Sequence, residues 1–176
     1  LQGWAVMRRV LSVVLFCLTA AGAAPVAGQG DEKGEAIAAA FGAMRQGDWN
    51  LARELAAPAG PTGQAIVEWT RLRNGNGSFS DYMAFLEAHG DWPGLGLLRE
   101  KGEEKIPESV APEDVIRFFR ETEPQTGEGA LRLAAAFEAV GQEADAEIAL
   151  IIAWRTLILT AAERRSFLDR HGDLLA

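Results

Sequence analysis

Helix-breaking residues interrupt this chain about every dozen positions, and between the breaks apolar residues recur at helical spacing. That alternation constrains the fold more than any other feature. Helices this short are marginal in water on their own, so each must bury an apolar stripe against a neighbour. Ile37, Phe41 and Met44 share one face of a first helix that Gly47 closes. Asp48 is placed to cap a second, with Trp49, Ala52 and Leu55 inward, until Pro58 ends it. Thr62 opens a third carrying Ile66, Trp69 and Leu72, and "NGNG" at 74–77 stops it.

The same logic runs to the end of the chain. Ser78 caps a fourth helix, with Phe79, Met83 and Leu86 in one row and Tyr82 and Phe85 in the next; Gly90 is placed to close it. Asp91 and Pro93 restart a fifth with Leu95 and Leu98 inward. Pro112-Glu113-Asp114 opens a sixth, with Val115, Phe118 and Phe119 inward and Pro124 beyond its end. Thr126–Gly141 reads as a seventh helix, with Ala130, Leu133, Phe137 and Val140 on one face. About Glu143 to Leu159 reads as an eighth, whose "IALIIAWRTLIL" suggests burial on two sides. Thr160 with Glu163 forms a capping box for the last. No stretch alternates in the manner of a strand. Alanine and leucine dominate the apolar share, which favours helices. The predicted fold is all-α: about nine helices in short antiparallel hairpins stacked as a superhelix or solenoid.

One heptapeptide occurs twice, "FLEAHGD" at 85–91 and "FLDRHGD" at 167–173. In each copy Phe and Leu suit a core, His suits a helix C-terminus, Gly a left-handed cap, and Asp the start of the next helix. The motif therefore predicts a helix stop and restart, used twice because the architecture repeats.

The stretches 69–94 (WTRLRNGNGSFSDYMAFLEAHGDWPG), 112–146 (PEDVIRFFRETEPQTGEGALRLAAAFEAVGQEADA) and 153–175 (AWRTLILTAAERRSFLDRHGDLL) carry a family likeness. They resemble the N-terminal α-superhelical, U-shaped region of soluble lytic murein transglycosylases, particularly the alphaproteobacterial type. The resemblance covers essentially all of residues 31–176 and implies a periplasmic location. It also implies that the whole enzyme cleaves the bond between N-acetylmuramic acid and N-acetylglucosamine in peptidoglycan without water. The product is a 1,6-anhydro sugar, which makes the enzyme a carbon–oxygen lyase acting on polysaccharide. A segment of this kind would shape the ring and hold glycan strands or cell-wall proteins. In that family the catalytic Glu precedes a Ser, a Gly-Leu-Met-Gln segment follows downstream, and both lie in a separate lysozyme-like domain. Here the single Glu-Ser pair, Glu108-Ser109, sits between prolines, and no Gly-Leu-Met-Gln follows. The resemblance thus assigns no catalytic residue to this chain. It implies a superhelical domain, 31–176, cut off before the C-terminal catalytic domain and inactive alone. The alternative is a stand-alone periplasmic helical-repeat adaptor, similar to tetratricopeptide repeats, that binds proteins and catalyses nothing.

Residues 1–30 are of another kind. Arg8 and Arg9 precede an apolar run from Val10 to about Ala21 and the small-residue stretch "AAGAAPVAG". This is the layout of a secretory signal peptide, with Ala21-Gly22-Ala23 the expected cleavage region and Met7 the expected start. The run falls short of the roughly 20 residues that span a bilayer, so after cleavage no integral membrane protein is expected. Cys17, the single cysteine, would leave with the signal, removing disulfides and thiolate metal sites from consideration. Loss of Arg8 and Arg9 takes the formal charge from −8 to about −10. An acidic chain without a basic stripe is a poor match for nucleic acid.

Few side chains stand out as site candidates. No cofactor is expected, and the carboxylates read as solvated helix-end charge. His89 and His171 have no second ligand at i+3 or i+4, which argues against a metal. Trp49, Trp69, Trp92 and Trp154 could stack on sugars, although core packing explains most such residues. Trp92, beside Pro93 at an expected helix start, is the candidate glycan contact.

Overall fold

The computed structural model describes residues 28–120 and 122–175. The expected signal sequence and its cleavage region lie outside them. Among the described residues there are nine α-helices and no strand. They are α1 (Gly28–Arg45), α2 (Trp49–Ala56), α3 (Gly60–Arg73), α4 (Phe79–Ala88), α5 (Leu95–Glu103), α6 (Pro112–Phe119), α7 (Gly127–Ala139), α8 (Glu143–Thr156) and α9 (Ala161–Leu175). A single 3₁₀ turn, Ala57–Ala59, links α2 to α3 and contains Pro58. The chain is all-α. Its helices pack on near neighbours in sequence: α1 on α2 and α3, α3 on α4 and α5, α6 on α7, and α7 on α8 and α9.

Local chemistry starts most of these helices. Asp48 Oδ1 accepts the Leu51 N–H at 3.0 Å, and Thr126 Oγ1 accepts the Gly129 N–H at 2.9 Å. Ser78 and Asp81 form a reciprocal capping box on α4, and Thr160 with Glu163 forms another on α9. Arg71 ties the end of α3 to the start of α4: it pairs with Glu68 and with Asp81 (2.9 Å) and donates to the Asn76 carbonyl.

Three apolar clusters follow one another along the chain. The first joins Ala40, Ala43, Ala52, Ala56 and Val67 of α1–α3. The second and largest is built on Leu72, Tyr82, Phe85, Leu98, Phe118 and Phe119 of α3–α6, with Leu133 and Ala136 of α7. The third joins Ala130, Leu131, Ala134, Leu150 and Phe167 of α7–α9. α3 and α7 therefore each serve two clusters from two faces. Tyr82 is fully buried, and its hydroxyl donates to the Leu72 carbonyl at 2.8 Å, so the second core carries no unmet phenol.

Among the described residues Glu103 is the buried carboxylate, with 1% of its surface exposed. It reaches from the end of α5 to the N-terminus of α7. There it accepts the Gln125 N–H (2.9 Å), the Thr126 N–H (2.8 Å) and the Thr126 hydroxyl (2.7 Å). An anion at a helix N-terminus is favoured by the orphan amides and the helix dipole. Burial nevertheless pushes its carboxyl above the ordinary range, and the bonds from Thr126 and Gln125 counter this only in part. Glu163 acts similarly from α9, accepting the Gly127 N–H at 3.0 Å. The first turn of α7 is thus fastened by two carboxylates from different helices.

Several sequence expectations fail. α3 begins at Gly60 rather than Thr62, with Pro61 in its first turn. Gly90 and Gly172 take no left-handed conformation. The break falls one residue earlier in both copies of the heptapeptide, at His89 (φ −135°, ψ 45°) and His171 (φ −135°, ψ 28°). After His171 the helix resumes to Leu175, so the second copy is a kink within α9. Asp91 and Pro93 do not begin α5: it starts at Leu95 after Gly94 (φ 71°), which has no side chain to cap it. A side chain at Gly94 would collide with Arg73. Burial of α8 is one-sided, through Ala146, Leu150 and Ala153, while Ile148 is exposed and so is Ile158 beyond the helix end. Phe41 and Val140 also face solvent.

Candidate functional site

Trp92 lies in the loop between α4 and α5, where four aromatic side chains meet. Its ring stands edge-on to Phe85 (5.5 Å, 89°) and to Trp69 (6.2 Å, 63°), and tilts against His89 at 5.1 Å. His89 in turn packs on Phe85 at 4.5 Å. Edge-to-face geometry matches the positive rim of one ring to the negative face of the next. Trp69 is fixed at its other end, because its indole N–H donates to the Pro93 carbonyl at 3.0 Å. The Arg73 guanidinium sits 4.6 Å over the Trp69 ring. α3 supplies Trp69 and Arg73, α4 supplies Phe85, and the loop supplies His89 and Trp92. The cluster holds the loop open until Gly94, which explains why α5 starts later than the Asp-Trp-Pro sequence suggests.

Trp92 is half-buried. Beside its cluster is an open cleft of about 440 Å³, bordered by Arg53, Gln64, Glu68, Phe85 and His89. Trp92 packs on the two rings that border this cleft without itself bordering it. The cleft therefore offers aromatic surface flanked by one cation, one amide and one carboxylate, the mixture that suits a neutral polar ligand with apolar faces. Glu68 is held by Arg71 and is the one carboxylate on the border among the described residues, which do not place the paired acid and base of a hydrolytic glycosidase in this cleft. Sequence reasoning did not find Arg53, Gln64 or Glu68. The spacing of Gln64 and Glu68 placed them on one face of α3, but only packing shows which aromatic rings that face meets.

The other candidates are in structural positions. Glu108 borders a small cleft of about 170 Å³ but is 86% exposed and pairs loosely with Arg132 at 3.4 Å, without the enclosure of a catalytic acid. Trp154 packs on Phe167 (6.0 Å), under Arg164. His171 sits at the α9 kink, and His89 belongs to the aromatic cluster. Among the described residues no group of three or more His, Cys, Asp or Glu is placed to hold a metal ion. No helix among them is long and apolar enough to cross a membrane.

No family model matches the chain, and no curated protein or solved structure is significantly similar to it.

Proposed function

We propose that this chain is the helical scaffold segment of a periplasmic lytic transglycosylase and holds peptidoglycan glycan strands without cleaving them. The whole enzyme would break the bond between N-acetylmuramic acid and N-acetylglucosamine and leave a 1,6-anhydro product, through a Glu in another domain. The observation that carries the reading is the aromatic cluster with its adjoining cleft. Pyranose rings present C–H faces that stack on phenyl and imidazole, here Phe85 and His89, and their hydroxyls can accept hydrogen bonds from Arg53 and Gln64 and donate one to Glu68. Two further features support a scaffold. Helices pack on near neighbours through successive cores, the connectivity that superhelical winding requires. The repeated heptapeptide also breaks its helix at the same residue each time.

A fluorescence titration with purified glycan strands tests the binding. The expected result is saturable quenching of tryptophan emission whose affinity falls severalfold in Trp92→Ala, because Trp92 supports the Phe85 and His89 rings that border the cleft. An unchanged spectrum at saturating glycan contradicts the reading.

A second reading, a helical-repeat adaptor for proteins, is favoured by one observation. An open groove of about 370 Å³ runs beside α8, with Phe137, Ile148, Ala149 and Ile152 along it, and Ile148 is exposed. Apolar surface of this kind suits a protein partner better than a sugar. Binding that requires Ile148 and Ile152 and ignores Trp92 would identify the adaptor.

A further inference from the structure

A second open cleft, about 460 Å³, lies apart from the one beside the Trp92 cluster. It lies among α4, α5 and α6, and its floor is Met83, Leu86 and Phe118. Three guanidiniums border it: Arg99 from α5, and Arg117 and Arg120 from the end of α6. Among the described residues, Glu87 is the carboxylate on its border. The concentration of cations is out of keeping with a chain of formal charge −8.

Helix-end stabilisation accounts for part of this, since Arg117 and Arg120 offset the dipole at the C-terminus of α6. Arg117 also pairs with Asp114 (2.8 Å) and with Glu87 (3.3 Å). Arg99 is different. It belongs to the middle of α5 and is half-buried, and among the described residues its side-chain polar contact is to the Thr122 hydroxyl at 3.4 Å. That contact bridges α5 to the segment after α6, and Arg99 itself borders the cleft. Like charges gathered around a low-dielectric floor raise the local potential, and an anion lowers it. Guanidinium is planar and donates in pairs, which suits carboxylate and phosphate oxygens. The volume falls within the roughly 300–1,000 Å³ usual for small-molecule sites.

The geometry points to a binding site for a small organic anion. Its apolar body lies on Met83, Leu86 and Phe118, and its carboxylate or phosphate group is held by Arg99 and Arg120, with Arg117 completing the rim. This site is separate from the proposed glycan cleft and does not depend on it.

Isothermal titration calorimetry on the full chain tests it with four probes: isophthalate, phenyl phosphate, inorganic phosphate and the neutral benzamide. Saturable binding of isophthalate or phenyl phosphate is expected, with the tighter of the two showing which oxyanion the site prefers. Benzamide is expected to give no heat, and inorganic phosphate to bind more weakly than phenyl phosphate. Arg99→Gln should weaken binding at least tenfold. Arg120→Gln, at an exposed side chain that leaves the core intact, should weaken it severalfold, whereas Arg132→Gln, outside the cleft, should not. No saturable binding of either aromatic anion overturns the proposal. Equal effects of Arg132→Gln and Arg120→Gln also overturn it, since they would mark general charge attraction.

Discussion

His89 and His171 occupy the same position of the two heptapeptide copies and hold nearly the same backbone conformation, φ −135° in each, with ψ 45° and 28°. The surroundings differ. His89 closes α4 and packs on Phe85 and Trp92, whereas α9 continues past His171. The same local chemistry therefore gives a helix end in one context and a kink in the other.

The difference predicts unequal costs of substitution. His89→Ala removes two ring contacts, each worth about 0.5–1.5 kcal/mol, and should lower stability by about 1–2 kcal/mol. His171→Ala should stay within about 0.5 kcal/mol, as for most substitutions away from a packed site. Urea unfolding of the two variants checks this; equal losses would contradict it.

Gly129 is predicted to tolerate no side chain. A Cβ there would collide with the Glu103 carboxylate and lie 2.9 Å from Thr126 Oγ1. The helix-propensity gain of alanine, about 1 kcal/mol, is outweighed by the disrupted junction of α5 with α7. Gly129→Ala should cost about 1–3 kcal/mol net. Gly141→Ala is the comparison, because it meets nothing within 4 Å but forces a left-handed residue (φ 76°) and should cost about 1 kcal/mol.

Glu103 and Glu163 should give opposite pH dependences. Burial raises the Glu103 carboxyl above its ordinary 4.5. The folded protein then holds that proton more tightly than the unfolded chain. Its contribution is full below about pH 4.5 and is lost as pH rises through the folded value. For Glu163, burial acts upward too. Bonds from the Thr160 hydroxyl, and from the Thr160 and Gly127 backbone N–H groups, outweigh it and bring the carboxyl below 4.5. Its contribution is full above about pH 4.5 and is lost as pH falls through the folded value. The stability gap between wild type and Glu103→Gln should therefore shrink from acid to neutral pH. The gap to Glu163→Gln should shrink from neutral to acid. Unfolding midpoints across this range test both signs.

Thr160→Ala should cost about 0.5–2 kcal/mol as the loss of an N-cap. The effect should appear first in hydrogen exchange of α9, because the bond it removes serves the Glu163 N–H at the start of that helix.

The helix count and the caps at Asp48, Ser78 and Thr160 were legible in the sequence because capping acts over three residues. Glu103 was not. Its burial depends on amides 22 and 23 residues away, and nothing in "REKGEE" separates it from its solvated neighbours. Asp91-Trp92-Pro93 read as a helix start because the local residues allow one. The Trp69 indole, reaching Pro93 from 24 residues earlier, holds the segment as a loop instead. On α8 the apolar run exceeded the neighbours available to cover it, which periodicity alone does not count. Trp92 was picked out by its sequence context, while the cleft beside it required the meeting of α3 with α4.

Incubation of the purified chain with peptidoglycan sacculi tests the scaffold reading most directly, with sedimentation measuring binding and chromatography measuring released sugars. The account predicts co-sedimentation that falls severalfold in Trp92→Ala, with no 1,6-anhydro-muropeptide released by either protein. Release of anhydro-muropeptides, or a wild-type chain that stays in the supernatant, would contradict it.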